Sequence, residues 1–299
     1  MRFALYILLG TLVMFFGCLV QEPSIPTNST IPDNNLAPQQ TEFHNIQYSN
    51  ISDTLILDIY LPANTTDLFP TIIYVHGGGW REGTKDSCPH KIFVEEGYIV
   101  SCIDYRLSQE AKFPAQIQDV KTAIRWLRAN SERYRMDTNR FGIFGMSAGG
   151  HLSSLVGTSG GITNFDTNEN SQYSSEVDAV ADWYGPVSFI LVENITNTTE
   201  RYYEYAFCGN QLFESPINES HNKAMEANPI TYITPDDPPF LIMHGSKDDI
   251  VPISESELLY NELKKNGIDA TFIVIDDYHG FPDSELEKVV EFFDKTLKN

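Results

Sequence analysis

At 299 residues, with 41% hydrophobic and 12% aromatic side chains, the chain can bury a large core in one big α/β domain or two small ones. Its formal net charge of -21, from 41 acidic against 20 basic residues, disfavours nucleic acid as a partner, because phosphate neutralisation needs clustered cations. The acidic surface reads as a source of solubility.

Arg2 gives a short basic start, and Phe3 to Val20 is apolar apart from small or weakly polar residues. About 18 to 20 such residues can span a bilayer, and the same pattern serves as a cleaved signal. Residues 1–20 are therefore expected to be an export signal or a membrane anchor, in preference to a buried first helix. Phe15-Phe16-Gly17-Cys18 resembles the lipoprotein box of bacteria and archaea, in which glycine precedes the lipid-accepting cysteine. Phe15 stands where that box has an aliphatic residue, so Cys18 is a candidate lipidation site with plain secretion and uncleaved anchoring as alternatives. Each route places the chain outside the cytoplasm. Residues 21–40 carry Pro23, Pro26, Pro32 and Pro38 among Ser, Thr and Asn, and read as an extended tether. Sequons at Asn28, Asn50, Asn64, Asn194, Asn197 and Asn218 fit an exported protein.

Residues 41–299 read as the folded domain. Asn45–Tyr48 and Leu55–Tyr60 predict an antiparallel opening, the second strand stopped by Pro62. Thr71–Val75 and Tyr98–Ile103 are nearly continuous apolar runs, as expected of strands buried on both faces. Ala115–Asn130 places Ile117, Val120, Ala123, Ile124 and Leu127 at helical spacing. Strand-like runs follow at Phe141–Phe144, Val177–Trp183, Phe240–Met243 and Thr271–Ile275, with helical patterns at Ser254–Lys265 and Glu285–Lys298. Alternating strands and helices predict a mainly parallel sheet covered on both faces. Residues 185–239 break the alternation with Asn, Pro and the aromatics Phe189, Tyr202, Tyr203, Tyr205, Phe207 and Phe213, and read as a small cap-like insertion. It is either a surface excursion with its own apolar cluster or a wall of the pocket. Of the four cysteines, Cys102 reads as a buried strand residue, while Cys88 and Cys208 fall in loop-like segments where they can pair. No zinc spacing is present.

Three stretches carry chemistry. Gly145-Met146-Ser147-Ala148-Gly149 follows an apolar strand and opens a helix-like segment, which reads as a nucleophile elbow: flanking glycines permit a sharp turn that thrusts the serine hydroxyl clear. His76-Gly77-Gly78-Gly79-Trp80 follows the strand ending at Val75, and its glycines can direct backbone N–H groups into one small space, as an oxyanion hole requires. No lysine follows as in a P-loop. Among seven histidines, His279 directly follows the run ending at Ile275, near the carboxyl edge where open α/β sheets keep their sites. Asp248 holds the equivalent place after the preceding strand, with Asp249 as its rival for orienting the imidazole.

These stretches, with Asp104-Tyr105-Arg106-Leu107, Phe113-Pro114-Ala115, Asp119, His244-Gly245 and Tyr278-His279-Gly280-Phe281, resemble the α/β-hydrolase esterase/lipase family, close to its hormone-sensitive-lipase-like and feruloyl-esterase-like branches. The resemblance runs from about Glu42 onward and includes the order Ser, Asp, His. It implies Ser147 as nucleophile, His279 as general base and acid, Asp248 as orienting carboxylate, and the amides of Gly78, Gly79 and Ala148 as the oxyanion hole. His76, Asp104, Arg106 and Asp119 would support the loops, and His151 and His244 would be structural. The implied substrate is a small-molecule carboxylic ester, hydrolysed through an acyl-enzyme with no metal or organic cofactor. Prolyl-oligopeptidase-like peptidases and acylaminoacyl hydrolases share fold and triad, but a tether of about twenty residues leaves no room for their propeller. A non-catalytic surface binding protein on the same scaffold would lack a triad member.

Overall fold

A computed structural model of the chain describes residues 40–63, 67–189, 211–213, 221–280 and 282–298. Residues 1–39, with the expected leader, Cys18 and nearly all of the tether, lie outside the described residues. Eight strands are described: β1 (Glu42–Gln47), β2 (Ile56–Tyr60), β3 (Phe69–Val75), β4 (Ile99–Ile103), β5 (Met136–Met146), β6 (Ala179–Trp183), β7 (Phe240–Gly245) and β8 (Ala270–Ile275). They form one sheet in the order β1-β2-β4-β3-β5-β6-β7-β8. β1, β2 and β4 pair antiparallel, and every pairing from β4 through β3 to β8 is parallel. The helices are α1 (His90–Glu95), α2 (Ala115–Ala129), α3 (Ser131–Tyr134), α4 (Ala148–Thr158), α5 (His221–Glu226), α6 (Ile253–Lys265) and α7 (Leu286–Leu297).

The alternation of side chains along β3 shows how the sheet is buried twice. Ile73 and Val75 face a cluster with Ile117, Val120 and Ile124 of α2, Leu152 and Leu155 of α4, and Leu259 and Leu263 of α6. Ile72 and Tyr74 face the other way, onto Phe93 of α1 and Val289 and Phe293 of α7. Each large side chain so buried contributes about 1.5–3 kcal/mol, and none of the central strands keeps a wet face. A mainly parallel sheet with helices on both faces is the α/β-hydrolase arrangement that the sequence resembled. It carries the carboxyl ends of β3, β5, β7 and β8 to one edge.

Cys88 and Cys102 form a disulfide, with Cα atoms 6.0 Å apart, so the expected pairing of Cys88 with Cys208 is corrected. Cys102 points to the same face of β4 as Val100, and the loop entering α1 lays Cys88 against that apolar cluster. Cys208 lies outside the described residues. So do residues 190–210 and 214–220 of the cap-like segment, with Tyr202, Tyr203, Tyr205 and Phe207. Its described parts join the main core: Val187, Phe189, Leu212, Phe213, Ala224 and Ala227 are buried there. Phe213 meets Phe113 and Phe189 edge-on, with ring centroids 5.9 and 5.3 Å apart.

Candidate active site

Ser147 occupies the tight turn between β5 and α4 with φ 55° and ψ -120°, a conformation that non-glycine residues reach only under strain. Its N–H donates to the Trp183 carbonyl at 2.8 Å, which ties the turn to the end of β6. The turn closes because its neighbours lack side chains. A Cβ on Gly145 would overlap the Gly149 carbonyl, and one on Gly149 would overlap the Val75 carbonyl.

His279, in the loop after β8, approaches this serine with Nε2 3.1 Å from Ser147 Oγ. Its Nδ1 lies 2.7 Å from Asp248 Oδ2, in the loop after β7. Asp248, and not Asp249, makes this contact. The carboxylate's other oxygen accepts N–H bonds from Ile250 and Val251, both at 2.9 Å. Burial alone would raise the Asp248 carboxyl, but hydrogen bonds from His244 and His279 outweigh it and hold the group far below the usual carboxylate range. Asp248 is thus an anion fixed on one side of the imidazole, with the serine on the other. Tyr184, itself at φ 45°, packs beside the His279 ring with centroids 4.4 Å apart.

The loop after β3 forms the facing wall. Gly78, Gly79 and Trp80 adopt successive positive φ values of 110°, 60° and 58°, a path that glycine permits at two of the three positions. Gly78, Gly79, Ser147, Ala148 and His279 all line one cavity of about 580 Å³. Met146, Tyr184, Pro186, Ile250 and Val251 supply apolar wall, and Arg81, Glu82 and Ser87 a polar margin.

Behind the loop, the His76 ring stacks on Tyr105 at 4.3 Å, and the Tyr105 hydroxyl donates to the His76 carbonyl at 3.0 Å. His76 Nδ1 reaches the Gly77 carbonyl at 2.8 Å, and burial, partly offset by that bond, lowers the pKa of the ring. Asp104 accepts the Lys85 backbone N–H at 2.6 Å and lies 3.8 Å from His76 Nε2. Arg106 and Asp119 sit outside the cavity wall as a pair: Nη2 to Oδ1 at 2.6 Å and Nε to Oδ2 at 2.8 Å. That pair fixes the strand-to-helix connection to α2.

Other buried polar residues support the site: His151 and His244, expected to be structural, and Asp182 and Glu255, to which sequence reasoning assigned no role. The Trp80 indole donates to His151 Nδ1 at 3.1 Å, while His151 Nε2 meets the Ala227 carbonyl at 2.7 Å, so the first turn of α4 holds the loop after β3. Burial pushes His151 down to about 4, which keeps it neutral. Asp182 accepts from Ser154 Oγ at 2.5 Å and from the Gly185 N–H at 2.8 Å, and burial pushes it up to about 6. Glu255, in the first turn of α6, accepts the N–H groups of Val187 and Ser188 at 2.9 and 2.7 Å, and burial pushes it up to about 7. His244 lies against Asp248. A histidine four residues after an elbow serine, or four before the aspartate, is the signal available for two of these. Nothing in the sequence marks Glu255, an acidic residue in the first turn of a helix, as buried. Among the described residues no group of three or more His, Cys, Asp or Glu could hold a metal ion.

The BD-FAE family model matches residues 57–263, which span β2 through most of α6. Among solved structures, a truncated form of a carbohydrate esterase from gut microbiota is 32% identical, covering 87% of this chain and 97% of that one, with a TM-score of 0.79. A bifunctional GH43-CE protein of Bacteroides eggerthii is 33% identical with a TM-score of 0.78, over 85% of this chain and 38% of that one. Esterase LipC of Mycobacterium tuberculosis is 31% identical over 198 residues, 65% of this chain and 48% of LipC. The chain thus spans about half the length of such curated relatives. From sheet topology through the serine elbow to the matched residues, the chain belongs to the BD-FAE family of α/β-hydrolase esterases.

Proposed function

We propose that this chain is a carboxylic ester hydrolase in which Ser147 is the nucleophile, His279 the general base and acid, and Asp248 the orienting carboxylate. The observation that carries the reading is the line from Ser147 Oγ to His279 Nε2 at 3.1 Å and from His279 Nδ1 to Asp248 Oδ2 at 2.7 Å, at the wall of the 580 Å³ cavity. In this arrangement His279 takes the serine proton as Oγ attacks an ester carbonyl, then returns it to the departing alcohol. Asp248 stabilises the imidazolium in between. The amides of Gly78, Gly79 and Ala148 supply N–H donors for the oxyanion. Water, activated by the same imidazole, then releases the acid from the acyl-enzyme.

The carbohydrate esterase among the similar structures makes acetylated sugars the first natural esters to test, beside simple aryl esters. We place the chain outside the cytoplasm, secreted or held at the membrane through residues 1–20 and Cys18. The Cys88–Cys102 disulfide supports an oxidising compartment. Hydrolysis of an aryl acetate by the wild type, with a loss on the order of 10⁴-fold in Ser147→Ala, is the expected result. Equal turnover by the two proteins would remove the mechanism.

A further inference from the structure

We infer that His244 is a positioning residue for the reaction, its buried imidazole N–H lying against the carboxylate that orients His279. The inference rests on the proposed roles of Asp248 and His279. His244 is fully buried at the end of β7. Its Nε2 lies 3.2 Å from Asp248 Oδ2, the oxygen that also meets His279 Nδ1, and 2.9 Å from the Val251 carbonyl. A carbonyl and a carboxylate can only accept, so Nε2 carries the proton. On the other side Nδ1 lies 2.7 Å from Ser256 Oγ, whose hydroxyl can donate to it. With its proton on Nε2 the imidazole meets each of these partners, and Ser256 on α6 fixes its rotation.

The consequence is a relay of orientation from α6 to the serine: Ser256 sets His244, His244 sets Asp248 Oδ2, and that oxygen sets His279. The same N–H, 3.2 Å from Oδ2, attracts its negative charge, so His279 faces a carboxylate weaker as a base than one held by His279 alone. The groups facing His244 are Asp248 and Ser256, the ring of Tyr184 at a centroid distance of 6.4 Å, and the buried carboxyl groups of Asp182 on β6 and Glu255 on α6. Removal of the donor leaves Oδ2 with one partner and strengthens its pull on the His279 proton.

The test compares His244→Gln, which retains an N–H near the Nε2 position, with His244→Leu and Ser256→Ala. Turnover of an aryl acetate is measured across pH, and the low-field imidazole proton of His279 by NMR in the same proteins. In His244→Leu, kcat is expected to fall roughly 10- to 100-fold with KM nearly unchanged, and the acid limb of kcat/KM to move to higher pH. His244→Gln should recover most of the loss, and Ser256→Ala should fall between. If His244→Leu does not fold, the Gln and Ala variants carry the same ranking. Wild-type kinetics and an unmoved acid limb in Ser256→Ala and in a folded His244→Leu would overturn the inference, as would equal losses in the Gln and Leu variants. The NMR signal is read without turnover: an inactive wild type would sink the proposed reaction, while a His279 resonance unchanged in the variants would sink the role of His244.

Discussion

Replacing Glu255 by glutamine should make the fold more resistant to alkaline conditions. The side chain is fully buried, and one oxygen, Oε2, takes both backbone N–H groups from Val187 and Ser188. Its other oxygen has no partner. Burial is the leading cause that lifts its pKa from 4.5 to about 7, against the hydrogen bonds and His244, which lower it. The folded state therefore holds a proton that the unfolded chain releases between pH 4.5 and 7. Across that window stability falls as pH rises, and above it the loss is complete and constant. At about 1.4 kcal/mol per pH unit the loss is roughly 3 kcal/mol. Glutamine keeps an oxygen for the two N–H groups and cannot ionise, so any fixed cost of its buried amide is the same at both ends of the range. Urea unfolding of Glu255→Gln and wild type at pH 4.5 and pH 8 isolates this group from others that titrate. The difference in unfolding free energy is expected to move by roughly 3 kcal/mol in favour of glutamine as pH rises. A difference that stays flat, or moves the other way, refutes the reasoning.

Serine at both ends of the disulfide, Cys88→Ser with Cys102→Ser, should lower stability by roughly 3 kcal/mol, since the bridge, at a sequence separation of 14, closes a loop in the unfolded chain. Urea melts with and without reductant measure it, and reductant should leave the double variant unchanged. Arg106→Ala should cost about 3–5 kcal/mol, because it abandons the buried Asp119 carboxylate without its guanidinium partner. Ser147→Gly should abolish hydrolysis yet raise stability by about 1 kcal/mol, since glycine adopts φ 55° without the strain that serine bears. Thermal melts beside the aryl acetate assay check both halves of that prediction.

The strands and long helices were legible because their apolar spacing answers to one physical demand, burial against a sheet. Thr71–Val75 and Ala115–Asn130 fall within a residue or two of β3 and α2. The residues at the cavity were legible because glycines around a serine, and a histidine and aspartate just past strand ends, leave local marks. Asp248 and Asp249 differ only in which carboxylate the chain folds inward, and that is settled by the loop's hydrogen bonds to Ile250 and Val251. The cysteine pairing was misread because a strand's interior looks equally apolar whether its thiol is free or bonded to a passing loop. Glu255 stayed hidden because the backbone N–H groups that accommodate it, those of Val187 and Ser188, come from a segment distant in sequence, and Asp182 because the hydroxyl facing it, that of Ser154, lies on another element.

A fluorophosphonate ester, added to the folded protein and followed by peptide mapping, tests most directly whether Ser147 is the nucleophile. The expected result is one adduct, on Ser147, formed in wild type, lost in Ser147→Ala and slowed by orders of magnitude in His279→Ala. Folded wild-type protein that remains unlabelled, or an adduct on a different serine, would contradict it.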